Sequence, residues 1–240
     1  MAKGIFITGT DTGVGKTIVV AALARLLRLR GVNVGIMKPV TSGCSEKDGL
    51  LCSDDAELLA WAAELDEVKS DNAPYLLRAP ISPAIAAERE GVRVDFNVIA
   101  EAYGRLSERH DFVIVEGAGG LMAPISGGLM VADLANRLSL PLLVVARPNL
   151  GTVNHTVLTC FVARQLGLTV AGVMVNGYPA APDLAESTAP HQIDSLCGAP
   201  LLGLLPRVEA DDQRVIVTHL ADLLDALPTT PILLREIGLV

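Results

Sequence analysis

Ile5-Phe-Ile-Thr-Gly-Thr-Asp-Thr-Gly-Val-Gly-Lys-Thr17 decides the fold of this chain. Gly4 to Thr8 is a short apolar run of the kind that forms a buried strand. A glycine-bearing turn follows, then Lys16-Thr17, then a helical pattern from Thr17 to Arg30. Strand, glycine-rich loop and helix in that order make a P-loop, in which backbone N–H groups point into a concavity at a helix N-terminus and the helix dipole favours an anion. The lysine reaches outer phosphates and the hydroxyl that follows it binds the accompanying Mg²⁺. The strict spacing G-x-x-x-x-G-K-[ST] requires glycine at position 10, where Thr10 stands; Gly9, Gly13 and Gly15 supply the flexibility of a variant loop. The stretch therefore implies binding of a nucleoside triphosphate.

Outward from this loop, the rest of the chain repeats a strand–loop–helix rhythm. Strands are expected at Gly4–Thr8, Val32–Lys38, Phe112–Glu116, Leu142–Ala146, Val170–Val175 and Leu201–Gly203. Helices are expected at Thr17–Arg30, Asp54–Leu65, Asn97–Glu108, Met130–Leu138, Asn154–Gln165, Leu184–Leu196 and Gln213–Ala226. The strands are short and rich in Val, Ile and Leu, as strands buried on both faces are. The pattern predicts one three-layer α/β domain over residues 1–240, a mainly parallel sheet with helices on both faces. Pro80 and Pro83 imply an irregular excursion, and Ile232 to Leu234 is compatible with either an added strand or a cover over the core.

Composition narrows the function. The 240 residues suffice for a full core. Half of them are hydrophobic, yet no apolar run is long enough to span a bilayer, and no basic-then-apolar leader precedes the first strand, so a cytoplasmic protein without a membrane partner is expected. A net charge of −8 and only eight aromatic residues argue against a nucleic-acid partner. Cys44, Cys52, Cys160 and Cys197 are scattered, with no C-x-x-C pair for zinc or redox work.

In open α/β sheets the ligand lies beyond the C-terminal strand ends, so the residues there are the candidates. Lys38-Pro-Val-Thr-Ser-Gly43 follows the second strand; Lys38 there would neutralise an anion, with Thr41 and Ser42 offering hydroxyls. Ser53-Asp-Asp-Ala56 opens a helix; one acid suffices as a cap and the other is free for a metal. Phe112-Val-Ile-Val-Glu-Gly-Ala-Gly-Gly120 is an apolar strand ending in a carboxylate, Glu116, which has Walker B logic for holding Mg²⁺ beside a P-loop. Arg147-Pro-Asn-Leu-Gly-Thr-Val-Asn-His155 offers polar groups that either cap the next helix or bind substrate. Asn176-Gly177 ends the fifth strand with an amide suited to a base edge or a turn, and Leu205-Pro-Arg207 ends the sixth with a rigid turn.

Together these stretches resemble the dethiobiotin synthases, ATP-dependent carboxylases that close the ureido ring of biotin. The resemblance runs from Gly9 to about Pro206 and is carried by Gly-Thr-Asp-Thr-Gly-Val-Gly-Lys-Thr17, Lys38-Pro-Val-Thr-Ser-Gly43, Ser53-Asp-Asp-Ala56, Val115-Glu-Gly-Ala-Gly-Gly120, Leu150-Gly-Thr-Val-Asn-His155 and Asn176. It implies that Gly13, Val14, Gly15, Lys16, Thr17 and Ile18 hold the ATP phosphates, with Gly117, Ala118 and Gly119 beside them, and that Thr17, Asp55 and Glu116 ligate Mg²⁺. Asp55 is the acid it selects, because the family's aspartate immediately precedes the alanine. It implies Lys16 and Lys38 as catalytic lysines, Thr12 and Ser42 as contacts to the reacting amines, and Asn176, Gly177, Pro206, Arg207 and Val208 around adenine. The substrates would be 7,8-diaminononanoate, CO₂ and ATP, and the substrate's carboxylate tail would meet Gly151, Thr152, Val153 and Asn154 across the interface of a homodimer. Two departures stand: Gly13 where some relatives carry an acid, and no tyrosine between Asp183 and Gln192. Two other readings share the architecture. An ATP-driven partitioning or positioning switch usually carries an extra lysine early in the P-loop, and none lies between Gly9 and Gly15. An amidoligase domain usually belongs to a longer chain.

Overall fold

A computed structural model describes residues 4–240. In chain order, β1 (Gly4–Gly9) runs through the glycine-rich loop into α1 (Lys16–Leu29), and β2 (Val34–Met37) follows. An excursion then holds β3 (Val40–Ser42), the hairpin β4 (Ser45–Lys47) and β5 (Leu50–Cys52), α2 (Asp54–Ala62), β6 (Tyr75–Leu77) and α3 (Pro83–Arg89). After α4 (Phe96–Arg109) come β7 (Phe112–Gly120), the small hairpin β8 (Pro124–Ser126) and β9 (Leu129–Met130), and α5 (Val131–Leu138). The C-terminal third alternates β10 (Leu142–Ala146), α6 (Thr152–Gln165), β11 (Val170–Tyr178), α7 (Leu184–Leu196), β12 (Leu201–Pro206), α8 (Gln213–Ala226) and α9 (Thr230–Glu236).

The central sheet has the strand order β12-β11-β10-β1-β7-β2, and every pair in it is parallel. Its strands are buried on both faces, which is why they read as continuous aliphatic runs. Under one face α1, α2, α8 and α9 enclose a cluster that includes Ile7, Leu23, Leu27, Ile36, Leu59, Ile114 and Leu224. Over the other, α4 and α5 cover Phe6, Met37, Ile99, Val113, Val115 and Leu134. None of the described helices is long and apolar enough to cross a membrane.

The expected elements form, with shifted ends that have local causes. β2 begins at Val34, not Val32, because the Val32 N–H bonds back to the Leu27 carbonyl at 3.0 Å and closes the end of α1. It ends at Met37, which leaves Lys38 one residue beyond the strand. β7 continues past Glu116 to Gly120, where Gly120 pairs with Gly9 after a register shift. α6 starts at Thr152, so Thr152 and Val153 belong to its first turn. Pro83 does not break the excursion; it opens α3 from a first-turn position, where its missing N–H costs nothing. The C-terminal segment is helical, and Leu233, Leu234 and Ile237 seal the core.

Candidate active site

Strand order builds the site. β7 lies between β1 and β2, with Glu116 registered against Ile7 and Val115 against Met37. The P-loop that leaves β1, the carboxylate of β7 and the lysine just past β2 thus emerge side by side at the C-terminal edge of the sheet.

Gly15 sits at φ +84°, a left-handed conformation that a side chain disfavours, and an added Cβ would collide with the amide of Asn176. The loop leads the Lys16 side chain back over itself, where Nζ donates to the Asp11 carbonyl at 3.2 Å and the residue is 7% exposed. Burial lowers the pKa of Lys16, and the nearby Glu116 carboxylate partly offsets this. Thr17 Oγ1 donates to Glu116 Oε1 at 2.8 Å.

Lys38 is also buried and donates to Glu116 Oε1 at 3.2 Å and to Asp55. Burial works against its charge, but the carboxylates of Glu116 and Asp55 outweigh it and hold its pKa above the ordinary lysine value. Glu116 is only 2% exposed, and its second oxygen, Oε2, is buried with no partner among the described residues. Ser53 Oγ accepts from the Ala56 N–H at 3.2 Å and caps α2, so neither aspartate is the cap. Asp55 turns inward to Lys38, while Asp54 is 85% exposed and faces Lys47 at 3.6 Å.

A cavity of about 370 Å³ opens over these groups. Its walls bring together the expected Thr12, Gly13, Gly15, Lys16, Thr17, Ile18, Lys38, Thr41, Ser42, Asp55, Glu116, Gly117, Ala118 and Gly119, and add Val40 and Gln213. Gln213, the first residue of α8, carries no signal in the sequence; only the fold brings it to the phosphate loop. Val14 is buried under the loop, and its carbonyl accepts from Asn176 Nδ2 at 3.1 Å, which ties the end of β11 to the P-loop.

The remaining expected residues lie elsewhere. Pro206 ends β12 opposite Tyr178, Arg207 N–H donates to the Tyr178 carbonyl at 2.8 Å, and Val208 packs on the core; this turn follows Gly177 and Asn176 across the β11–β12 pair, outside the lining of the main cavity. Gly151, Thr152, Val153 and Asn154 line a separate cavity of about 520 Å³ between α6 and α7. Within one chain they do not join the Lys16–Lys38 cleft. Thr152 is 1% exposed and its hydroxyl has no partner among the described residues.

A parallel sheet with a phosphate loop after β1 and a buried acid on the adjacent strand defines a P-loop nucleotide-binding protein. Solved structures agree on the fold: a ParA family ATPase from Chlorobium tepidum superposes with TM-score 0.56 at 15% identity, covering 100% of this chain and 99% of that one. The cell division ATPase MinD of Pyrococcus furiosus gives TM-score 0.54 at 19% identity over 94% of this chain and 99% of its own. Sequence comparison is more specific. A family described as an AAA domain matches residues 3–214. The ATP-dependent dethiobiotin synthetase BioD of Bacillus licheniformis is 42% identical over 207 residues, 86% of this chain and 87% of the relative. Its namesakes from Thermodesulfovibrio yellowstonii and Bacillus subtilis are 41% and 39% identical, over 86% and 91% of this chain and 89% and 93% of their own lengths. The chain belongs to the ATP-dependent dethiobiotin synthetase family.

Proposed function

We propose that this chain is a cyclo-ligase that makes dethiobiotin from 7,8-diaminononanoate, CO₂ and ATP in the cytoplasm. One observation carries the reading: Lys16 and Lys38 are buried in a single cleft around Glu116. The reaction presses one anion against another, and that arrangement concentrates positive charge between them.

The amine next to the cleft would add to CO₂ and lose a proton, giving a carbamate. A carbamate oxygen then attacks the γ-phosphorus and ADP leaves. The second amine attacks the carbamoyl carbon, the C–O bond to phosphate breaks, phosphate departs with one oxygen of the original CO₂, and a proton is lost as the five-membered urea closes. Lys16, at the head of α1 with the loop N–H groups, holds the phosphates. Lys38, kept charged by Asp55 and Glu116, faces the attacking carbamate and the transferring phosphoryl group. Thr12 and Ser42, both in the lining of the cleft, orient the amines; the second attack is intramolecular, so orientation carries much of its barrier reduction.

The donor set fits Mg²⁺. The orphaned, buried Glu116 Oε2 lies on the carboxylate that the Thr17 hydroxyl contacts, and Asp55 is close enough to share Lys38 with it. These are hard oxygen donors, and no cluster of three or more His, Cys, Asp or Glu offers an alternative among the described residues. When bound there, Mg²⁺ would draw charge from the phosphate oxygens.

Asn176, Gly177 and the Pro206–Val208 turn would hold adenine. The substrate tail would reach Gly151–Asn154 of a second copy. Leu150 and Leu184 are 84% and 81% exposed, and Leu158 and Phe161 are each 52% exposed on α6, an apolar face that a second copy would cover. The likeness to partitioning ATPases extends to fold alone.

Mass spectrometry of a reaction with ATP, Mg²⁺, ¹³C,¹⁸O-bicarbonate and diaminononanoate tests the reading. A product carrying one ¹³C, with ¹⁸O in the released phosphate, is expected. ADP released at the same rate without the diamine, with no ring product, would overturn it.

A further inference from the structure

β2 is the edge strand of the sheet. The Ile36 carbonyl and the Lys38 N–H flank Met37 and point off its free edge, where a further parallel strand would engage them. Among the described residues no seventh strand pairs there. A single residue takes its place: Asn72 Nδ2 donates to the Ile36 carbonyl at 2.8 Å, and the Asn72 carbonyl accepts from the Lys38 N–H at 2.7 Å. The side-chain oxygen, Oδ1, accepts from Lys69 N–H at 3.0 Å, so the carboxamide is held from both ends. Asn72 is 3% exposed.

The neighbouring residue anchors the clamp. Asp71 Oδ1 accepts from Arg105 Nε and Nη2 at 3.0 and 2.8 Å, and Oδ2 accepts from Arg109 Nη2 at 2.6 Å. Both arginines project from α4, a helix of the main body. Beyond Asn72 the same segment runs on as β6 and pairs with β3, with Val40 opposite Tyr75 and Ser42 opposite Leu77. Lys38, one residue past the regular strand and followed by Pro39, thus has its backbone fixed by Asn72 on the free edge.

We infer that Asn72 is a positioning residue for Lys38: it stitches the free edge of β2 to α4 through Asp71 and so sets where the lysine's amine stands in the cleft. The inference rests on the role given to Lys38 above. The P-loop, on the other side of β7, is not part of the clamp.

The test is a split between nucleotide binding and turnover. In Asn72→Ala, kcat for ring closure should fall at least roughly 10-fold, because misplacing a reacting group by about an ångström costs up to about 100-fold, while the Kd for ATP stays within about 3-fold. In a Lys38→Ala background the same substitution should change turnover by less than about 2-fold, because both changes act through one group. If Asn72→Ala does not fold, Asp71→Asn, which weakens the anchor and keeps its shape, should lower kcat about 3- to 10-fold with the same unchanged ATP affinity. An unchanged kcat in the folded variant, equal losses in kcat and ATP affinity, or an undiminished cost in the Lys38→Ala background would overturn the inference. Full turnover in Lys38→Ala alone would instead overturn the role of Lys38.

Discussion

Replacing Lys38 by methionine removes an ammonium and keeps most of its bulk, so its charge can be tested apart from its volume. Two effects follow, and they separate. The first is catalytic. An electrostatic donor aimed at developing charge in a closed site contributes roughly 100- to 1,000-fold in kcat, or about 3–4 kcal/mol, and that loss is expected for ring closure at saturating ATP. The second is structural. Glu116 is 2% exposed and Lys38 6%, so the substitution leaves a buried carboxylate with Thr17 as its remaining partner. Breaking a buried pair from one side costs about 3–5 kcal/mol. Asp55, 47% exposed, is rehydrated and adds little. For a chain of this size the melting temperature should drop by roughly 6–20 °C. Adding Glu116→Gln removes the stranded charge, keeps an oxygen for the Thr17 hydroxyl, and should recover most of that drop with no recovery of turnover. The assays are thermal unfolding by fluorescence and isotope-labelled product formation. A Lys38→Met enzyme that melts with the wild type and still closes the ring at more than a tenth of its rate would refute both halves of the reasoning.

Four further outcomes are expected. The folded pKa of Lys38 is raised above 10.5, so the stability it contributes is fully present below that unfolded value and is lost as pH climbs through the folded one; the gap in melting temperature between wild type and Lys38→Met should stay level from neutral pH up to about 10 and narrow only beyond it. Asp71 shows the opposite sign. Hydrogen bonds from Arg105 first, then Arg109, depress its pKa below 3.8, so its contribution is present above that value and lost as pH falls through the folded one. Asp71→Asn should cost about 1–2 kcal/mol at neutral pH, since both guanidinium groups are half exposed, and nothing in strong acid, as followed by denaturant titration at several pH values. In the P-loop, Gly15→Ala places a methyl group against Asn176 and should weaken ATP binding more than about 10-fold by calorimetry. Finally, sedimentation should show a dimer that Phe161→Glu converts to a monomer with a raised KM for the diamine; a fully active monomer would refute tail binding by a second copy.

What the sequence made legible follows from the range of each interaction. The phosphate loop announces itself because its strand, glycines and helix are contiguous, and the acid of β7 because four apolar residues, Phe112 to Val115, precede it. Asp54 and Asp55 are not separable from local spacing: Ser53 takes the cap, and Asp55 turns to a lysine seventeen residues away. Asn72 and Gln213 have no local signature at all, since one acts on a strand edge and the other closes a cleft built from distant segments. The most consequential feature, β7 inserted between β1 and β2, is invisible in chain order, where β2 comes first. It matters through register. Met37 is opposite Val115, so the residue after each, Lys38 and Glu116, projects to the same side of the sheet's end. A slip of one residue in this pairing would turn the lysine to the opposite face. Asn72 holds the β2 edge at that register from outside the sheet, which is why a residue with no chemistry of its own belongs in an account of the active site.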